Sequence, residues 1–320
     1  MTRAGACARH LELVEVLTSG SGTRQKATGD GGTEMKWMRR IYRAKNGVTE
    51  VTQFAVSDRA RVRTGKDAGS PRKQEANKHQ AVHRLARILN NNFQEHDLFL
   101  SLTYSESAFR RMRSEVYATL PKGRKEKKEV KRDAVLARAE QDGKDFIKLL
   151  RKLGADVSCY VSVPSDMDGD TGKEDRPHVH LIIKGESFAL IRRKLTVCGQ
   201  PLEELWGKGI VFHEFLRKGS YNKIAGYLLR QTRDIPHRRR YACAKGMERV
   251  IPEEMEIILG KGDPIPVPAG AQVEARIQTE GAYGMQYVRY IEPNADPLAA
   301  WERQKKQERR KKRGQTSDQG

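Results

Sequence analysis

Two histidines separated by one residue are the side chains in this sequence whose type and spacing point most directly to chemistry. His178 and His180 lie in the stretch Arg-Pro-His-Val-His-Leu-Ile-Ile at 176–183. Side chains on a β-strand alternate between its faces, so both imidazoles should point to one side and Val179 and Leu181 to the other. Neutral imidazole offers a lone pair, so two imidazoles on one strand predict a metal site. The alternative is a half-buried strand with two polar residues on its wet face.

A tyrosine between two cations lies on a helix predicted at residues 220–232, with the serine at its start as the N-cap. At about 100° per residue, Tyr221 falls in an apolar stripe, whereas Tyr227 falls on the opposite side with Lys223 and Arg230. Neighbouring cations favour the phenolate and can hold a phosphate beside the ring oxygen. The alternative is an amphipathic helix whose tyrosine only reaches solvent between two solvated cations.

The composition favours a polyanionic partner. The 320 residues include 61 Lys or Arg against 41 Asp or Glu, a formal charge of +20. Nucleic acid is a better partner for such a chain than a membrane surface. No apolar run approaches the roughly 18 residues that a membrane span needs, so we expect no membrane partner. The four cysteines form no C-x-x-C pair, which argues against zinc and disulfide frameworks and fits a reducing cytoplasm.

Periodicity predicts an α+β protein. Strands are predicted at 48–56, 97–104, 156–163 and 210–215 in addition to the histidine strand, and helices at 74–93, 133–153, 187–197, 201–206 and 220–232. This order predicts one antiparallel sheet of the ferredoxin-like or RNA-recognition-motif kind with helices on one face.

Composition and periodicity together divide the chain into five segments. We expect a disordered extension at 1–34, a basic segment with a helix at 35–95, the core at 96–235, an accessory segment at 236–295 and a flexible basic tail at 296–320. Basic side chains that could contact DNA phosphates are Lys122, Arg124, Lys125, Arg176, Arg238, Arg239 and Arg240.

Three motifs, in this order, resemble those of the HUH endonucleases. They are Phe-Leu-Ser-Leu-Thr-Tyr at 99–104, Pro-His-Val-His-Leu-Ile-Ile at 177–183 and Tyr-Asn-Lys-Ile-Ala-Gly-Tyr-Leu-Leu-Arg-Gln at 221–231. The set is most similar to rolling-circle replication initiators of bacterial plasmids, integrated elements and phages of the filamentous-phage type. The resemblance covers about residues 37–290 and implies the HUH nuclease fold.

That resemblance implies a metal-dependent enzyme that nicks and joins single-stranded DNA at an origin in a bacterial cytoplasm. His178 and His180 would bind a divalent cation, Mg²⁺ or Mn²⁺. Tyr227 would attack phosphorus, leaving a 5′-phosphotyrosine and a 3′-OH that a host polymerase extends, with a host helicase as a further partner. Lys223 would flank the nucleophile, and Arg230 stands where many relatives carry Lys.

The chain departs from the family pattern in two ways. Many relatives carry two tyrosines on one helical face, whereas Tyr221 and Tyr227 fall on opposite faces, which favours a single-tyrosine mechanism. The Glu that commonly precedes the histidine strand as a third metal ligand is missing. Asp166, in an Asp-rich connection, is the candidate to replace it, with Glu106 as a competitor.

Two other functions remain open from sequence. A relaxase or a single-tyrosine transposase would share the histidine and tyrosine motifs. A non-catalytic single-stranded nucleic-acid-binding protein would share the basic surface, but it should present aromatic stacking platforms on its sheet. The histidine strand carries no aromatic residue, which counts against that alternative.

Overall fold

The computed structural model of the chain describes residues 35–57, 71–121, 127–233, 235, 238–257, 264–279 and 285–293. The predicted extension at 1–34, the tail at 296–320 and the basic residues Lys122, Arg124 and Lys125 lie outside these ranges. The helices are α1 (Pro71–Asn92), α2 (Glu106–Thr119), α3 (Lys128–Lys152), α4 (Leu202–Trp206) and α5 (Asn222–Arg230). None of these described helices is long and apolar enough to cross a membrane.

The histidine strand lies at the centre of a five-stranded antiparallel sheet. Its strands are β3 (Leu98–Leu102), β4 (Tyr160–Met167), β5 (Glu174–Ile183), β9 (Val211–Phe215) and β10 (Ala242–Cys243). The order across the sheet is β10-β4-β5-β3-β9, so β5, which carries the histidines, has a paired neighbour on each side. The mixed α+β class with antiparallel pairing is therefore confirmed.

Helices cover both faces of this sheet, so the prediction of helices on one face is wrong. Leu181 and Ile183 pack with α2 and α3, whereas Ile182 packs with α1 and α5. The physical reason lies in β5, where consecutive apolar residues point alternately to the two faces and both faces must be shielded from water.

A second five-stranded antiparallel sheet joins the two ends of the described chain. Its strands are β1 (Met35–Arg43), β2 (Val48–Ser57), β11 (Glu253–Ile257), β12 (Gln272–Gln278) and β13 (Gln286–Ile291), in the order β11-β1-β2-β13-β12. Helix α1 contacts this sheet through Arg87, whose guanidinium lies 2.8 Å from the buried carboxylate of Glu50 on β2.

The prediction of a helix at 187–197 is wrong, because these residues form a β-hairpin. Strand β6 (Ala189–Ile191) pairs with β7 (Lys194–Val197), which also pairs with the short β8 (Gln200–Pro201). Leu195 and Val197 are buried two residues apart, which is the period of a strand. The two turn residues, Arg192 and Arg193, have φ angles of 47° and 66°. Positive φ at both central positions is the geometry of a type I′ turn, which asparagine and glycine adopt far more readily than arginine.

Replacing Arg192 with Asn and Arg193 with Gly should therefore raise the free energy of unfolding, by about 1 kcal/mol, because these residues tolerate the left-handed conformation. Urea denaturation measures the change. The matched control is the variant with alanine at both positions, which removes the same charges and keeps the conformational strain. An Asn-Gly variant no more stable than the alanine control would contradict this turn geometry.

Candidate active site at the histidine strand

The two imidazoles lie on the same face of β5, as strand alternation predicts. His180 is buried and His178 is half-buried, and their Nε2 atoms are 3.0 Å apart. This face is the one covered by α1 and α5, so the histidines sit beside the helix that carries the predicted tyrosine.

Gln231, immediately after α5, supplies the third polar group. Its Oε1 atom lies 3.2 Å from Nε2 of His178 and also contacts Nε2 of His180. Gly169 leaves room for this side chain, since a Cβ there would stand 2.9 Å from Cγ of Gln231. Sequence reasoning missed Gln231, although a signal existed: it follows Tyr227 by four residues, the spacing that puts two helical residues on one face.

Hydrogen bonds fix where the lone pairs of this cluster point. Nδ1 of His178 lies 2.9 Å from the carbonyl oxygen of Arg176. A carbonyl can only accept, so Nδ1 carries the proton and Nε2 of the neutral ring presents a lone pair. The amide oxygen of Gln231 is also an acceptor. Two acceptors facing each other at 3.2 Å need a proton or a cation between them.

His180 is held in its neutral form. Burial, followed by the proximity of His178, lowers the pKa of His180 to about 3, although the Gln231 oxygen, which can accept from the protonated ring, acts in the opposite direction. Its Nδ1 lies 2.8 Å from the hydroxyl of Ser101 on β3. When Nδ1–H donates to this hydroxyl, Nε2 is free to bind a metal, which is the usual role of a second hydrogen bond at a ligating histidine.

The residues present fit a divalent cation. Two imidazole nitrogens and one amide oxygen converge, and amide oxygens are among the ligands that hard divalent cations accept. The hydroxyl of Ser165, buried and opposite His178 in the β4–β5 register, has no hydrogen-bond partner among the described residues. Such an orphaned polar atom is expected where a bound species or its water completes the site.

The structure places Asp166 in an ion-pair cluster and not at the histidines. Its buried carboxylate accepts from Nε of Arg132 at 2.7 Å and from Nε of Arg233 at 2.9 Å. Both guanidiniums therefore bind the carboxylate that the sequence suggested as a metal ligand. Glu106 pairs with Arg110 at 2.7 Å and with Arg176 at 2.6 Å, and among the described residues no three His, Cys, Asp or Glu side chains are grouped to hold a metal.

The tyrosines of the α5 motif occupy different environments. Tyr221, at the N-cap position of α5, is 3% exposed and packs in the core with Ala225 and Leu228, where burial raises its pKa above the ordinary value for a phenol. Tyr227 is half-buried, and its ring centroid lies 5.9 Å from that of His180. Only Tyr227 is therefore placed beside the histidines.

A buried asparagine on α1 fixes the start of α5. Oδ1 of Asn90 accepts from the backbone N–H of Tyr221 at 2.8 Å, and its Nδ2 donates to Oδ1 of Asn222 at 3.2 Å. The predicted N-cap, Ser220, lies one position before the observed N-cap, and its hydroxyl accepts from the backbone of Asn222 at 3.3 Å. This capping by α1 orients the helix that carries Tyr227.

The described basic residues that were predicted to contact DNA or to flank the nucleophile differ in exposure and in ion pairing. Lys223 and Arg230 are exposed on α5, whereas Arg176 is 2.6 Å from the carboxylate of Glu106. The arginine run beyond α5 lines a surface pocket together with Arg233, two residues after Gln231. Within that run, Arg238 pairs with Glu140 at 2.8 Å, Arg239 is exposed and Arg240 is half-buried.

Comparisons of the chain with models of protein families, with curated proteins and with solved structures found no match. The resemblance to HUH endonucleases therefore stays a prediction from three motifs.

The burial of neutral His180 predicts a pH dependence of stability. Because its pKa is lowered on folding, the unfolded chain binds a proton that the folded chain does not, and stability falls as the pH drops below about 6.5. Between pH 6.5 and 5 the loss should be about 1 to 2 kcal/mol, measured by urea denaturation in chelator. His180→Asn should lose this part of the pH dependence.

The matched control is His213→Asn, at a half-buried position on β9, which should keep the wild-type profile. An unchanged profile in the His180→Asn variant would mean that folding does not lower the pKa of this imidazole.

Proposed function

We propose that the chain nicks and rejoins single-stranded DNA through a covalent bond to Tyr227, and so starts rolling-circle replication of a plasmid, phage or integrated element. The observation that carries the proposal is the position of Tyr227. Its ring centroid is 5.9 Å from the ring of His180, in the cluster with His178 and Gln231, whereas Tyr221 is enclosed in the core. A central histidine strand in a five-stranded antiparallel sheet also supports a fold of the HUH nuclease type, related to the ferredoxin-like and RNA-recognition-motif sheets.

The chemistry is a transfer of a phosphodiester between two oxygens. The phenolic oxygen of Tyr227, after losing its proton to solvent, attacks phosphorus, and the bond from phosphorus to O3′ breaks. O3′ takes up a proton, and the DNA 5′ end remains joined to the tyrosine. Attack by a 3′-OH reverses the step and restores the strand. A host polymerase can extend the released 3′-OH, and a host helicase can open the duplex.

His178, His180 and Gln231 would hold the divalent cation, Mg²⁺ or Mn²⁺, and the three groups contribute no negative charge. When bound, the cation supplies polarisation and positioning of the scissile phosphate. Ser101 and the carbonyl of Arg176 orient the two imidazoles so that their Nε2 lone pairs would face the cation.

Cations on α5 extend this site toward the DNA backbone. Lys223 and Arg230 are four residues before and three after Tyr227, so they flank it on the helix surface. Both are exposed, and within the described ranges neither forms an ion pair with an acidic side chain. We therefore expect them to bind the phosphates next to the scissile one, and the formal charge of +20 favours the association as a whole.

A single-tyrosine transposase or a relaxase is the second candidate function. The burial of Tyr221 supports this function as much as it supports a replication initiator, because Tyr227 is then the one tyrosine of the α5 motif beside the histidines. The two candidates share the covalent step and differ in the DNA site that they cleave. A non-catalytic binder differs from both, because it would form no covalent bond.

Denaturing gels of the protein incubated with single-stranded DNA and Mn²⁺ test the covalent step. Wild-type protein should form an adduct, and Tyr227→Phe should form none while still folding and binding DNA, because only the nucleophilic oxygen is removed. The matched control is Tyr221→Phe, which removes a core hydroxyl and should keep the adduct. An adduct that maps to Tyr221, or that survives in Tyr227→Phe, would contradict the assignment.

The arginine run predicts a local change in the salt dependence of binding. Each neutralised phosphate of a single strand adds about 0.7 to the slope of log affinity against log salt. Arg239→Gln should lower the slope by about that amount, measured by fluorescence anisotropy with a labelled single strand. The control Lys152→Gln, an exposed cation at the end of α3, should leave it unchanged. Equal slopes for Arg239→Gln and wild type would mean that Arg239 does not contact a DNA phosphate.

A further inference from the structure

An exposed aromatic side chain lies on the sheet face that carries the histidines. Phe212, on β9, is 55% exposed and belongs to no hydrophobic cluster of the described residues. Strand β9 is the outer strand of the central sheet next to β3. A single exposed phenylalanine is common on protein surfaces, so the position of this ring relative to the histidines decides what it can bind.

The strand register connects Phe212 to the candidate active site. Phe212 pairs with Ser101 of β3, and Ser101 pairs with His180 of β5. Directly paired residues of antiparallel strands point to the same face, so these three side chains form one row across the sheet. With about 4.8 Å between neighbouring strands, the backbone of Phe212 is about 10 Å from that of His180. A nucleotide next to a phosphate held at the histidines can span that separation.

We infer that Phe212 is a stacking platform for an unpaired base next to the scissile phosphate. This inference rests on the proposed function, since it takes the scissile phosphate to be positioned by a cation at His178, His180 and Gln231. Ile210, 52% exposed and two residues earlier, extends the apolar surface along the same edge. The ring offers a π-face that any base can stack on, so Phe212 positions the strand without selecting its sequence.

Charge complementarity favours single-stranded nucleic acid over a protein as the occupant of this surface. Helix α5, with the exposed Lys223 and Arg230, packs against the same face of the sheet. A strand that runs from these cations across the histidines would place its backbone on positive charge and a base on Phe212. This arrangement combines a basic track with an aromatic platform, which is how proteins bind single strands without reading sequence.

The chain supplies a matched control for this inference. Phe215 lies on the same strand and is 42% exposed. It pairs with Leu98, which belongs to the opposite, α2–α3 face of the sheet. Phe215→Ala therefore removes the same ring from the same strand without touching the histidine face.

A thermodynamic cycle between protein and DNA tests the stacking contact. Binding of a short labelled single strand is compared with binding of the same strand lacking its bases, in the Tyr227→Phe background with Mn²⁺. Phe212→Ala should weaken binding of the normal strand about tenfold, whereas Phe215→Ala should change it less than about twofold. The effect of Phe212→Ala should disappear on the abasic strand, and Phe212→Trp should bind the normal strand like the parent.

Two results would overturn the inference. An equal loss of affinity for Phe212→Ala on the normal and the abasic strand would assign the residue to the backbone or to the fold. A self-association of the wild-type chain in sedimentation experiments that Phe212→Ala abolishes would assign the exposed ring to a second copy of the chain. Because the cycle measures binding without cleavage, absence of the covalent adduct in wild-type protein would reject the proposed function separately from the stacking contact.

Discussion

The buried carboxylate of Asp166 connects the elements on which the candidate site depends. It accepts hydrogen bonds from Arg132 on α3 and from Arg233 just beyond α5, two helices that cover opposite faces of the central sheet. Gln231 is two residues before Arg233, so these ion pairs anchor the chain close to the amide that contacts the histidines. Removing one partner of a buried ion pair leaves an uncompensated charge and typically costs about 3 to 5 kcal/mol. Asp166, which the sequence suggested as a metal ligand, therefore links α3 to the segment that follows α5.

The cluster of His178, His180 and Gln231 exists because β5 is apolar on both faces at its end and polar on one face before it. Toward its end, Leu181, Ile182 and Ile183 are buried on both faces, which fixes the strand rigidly. Earlier in the same strand, His178 and His180 replace apolar residues on the α5 face only, while Val179 stays in the opposite core. The histidines are therefore at the border between packed core and accessible surface. That location lowers the pKa of His180 and still allows Tyr227 to approach.

Features set by local periodicity could be predicted from the sequence, and features set by distant contacts could not. Alternation on β5 and the helical wheel of α5 were enough to place the imidazoles on one face and to separate Tyr227 from Tyr221. Helix α2 was not predicted, because it buries only Met112 and Val116 and otherwise reads as charged, although Ser105 caps its first turn. The β6–β7 hairpin was mistaken for a helix because two arginines occupy turn positions that glycine or asparagine usually fill. The ion pairs of Asp166 join it to residues 34 and 67 positions away in the chain, and no local pattern encodes them.

Calorimetric titration of the protein with Mn²⁺ tests whether His178, His180 and Gln231 form one metal site, as we propose. We expect one Mn²⁺ per chain, with binding lost in His180→Ala and weakened at least about tenfold in Gln231→Leu. Gln231→Glu should bind Mn²⁺ more tightly than wild type, because a carboxylate adds charge in the position of the amide. Absence of Mn²⁺ binding by the wild-type chain, or equal affinity in the wild-type and Gln231→Leu proteins, would contradict this proposal.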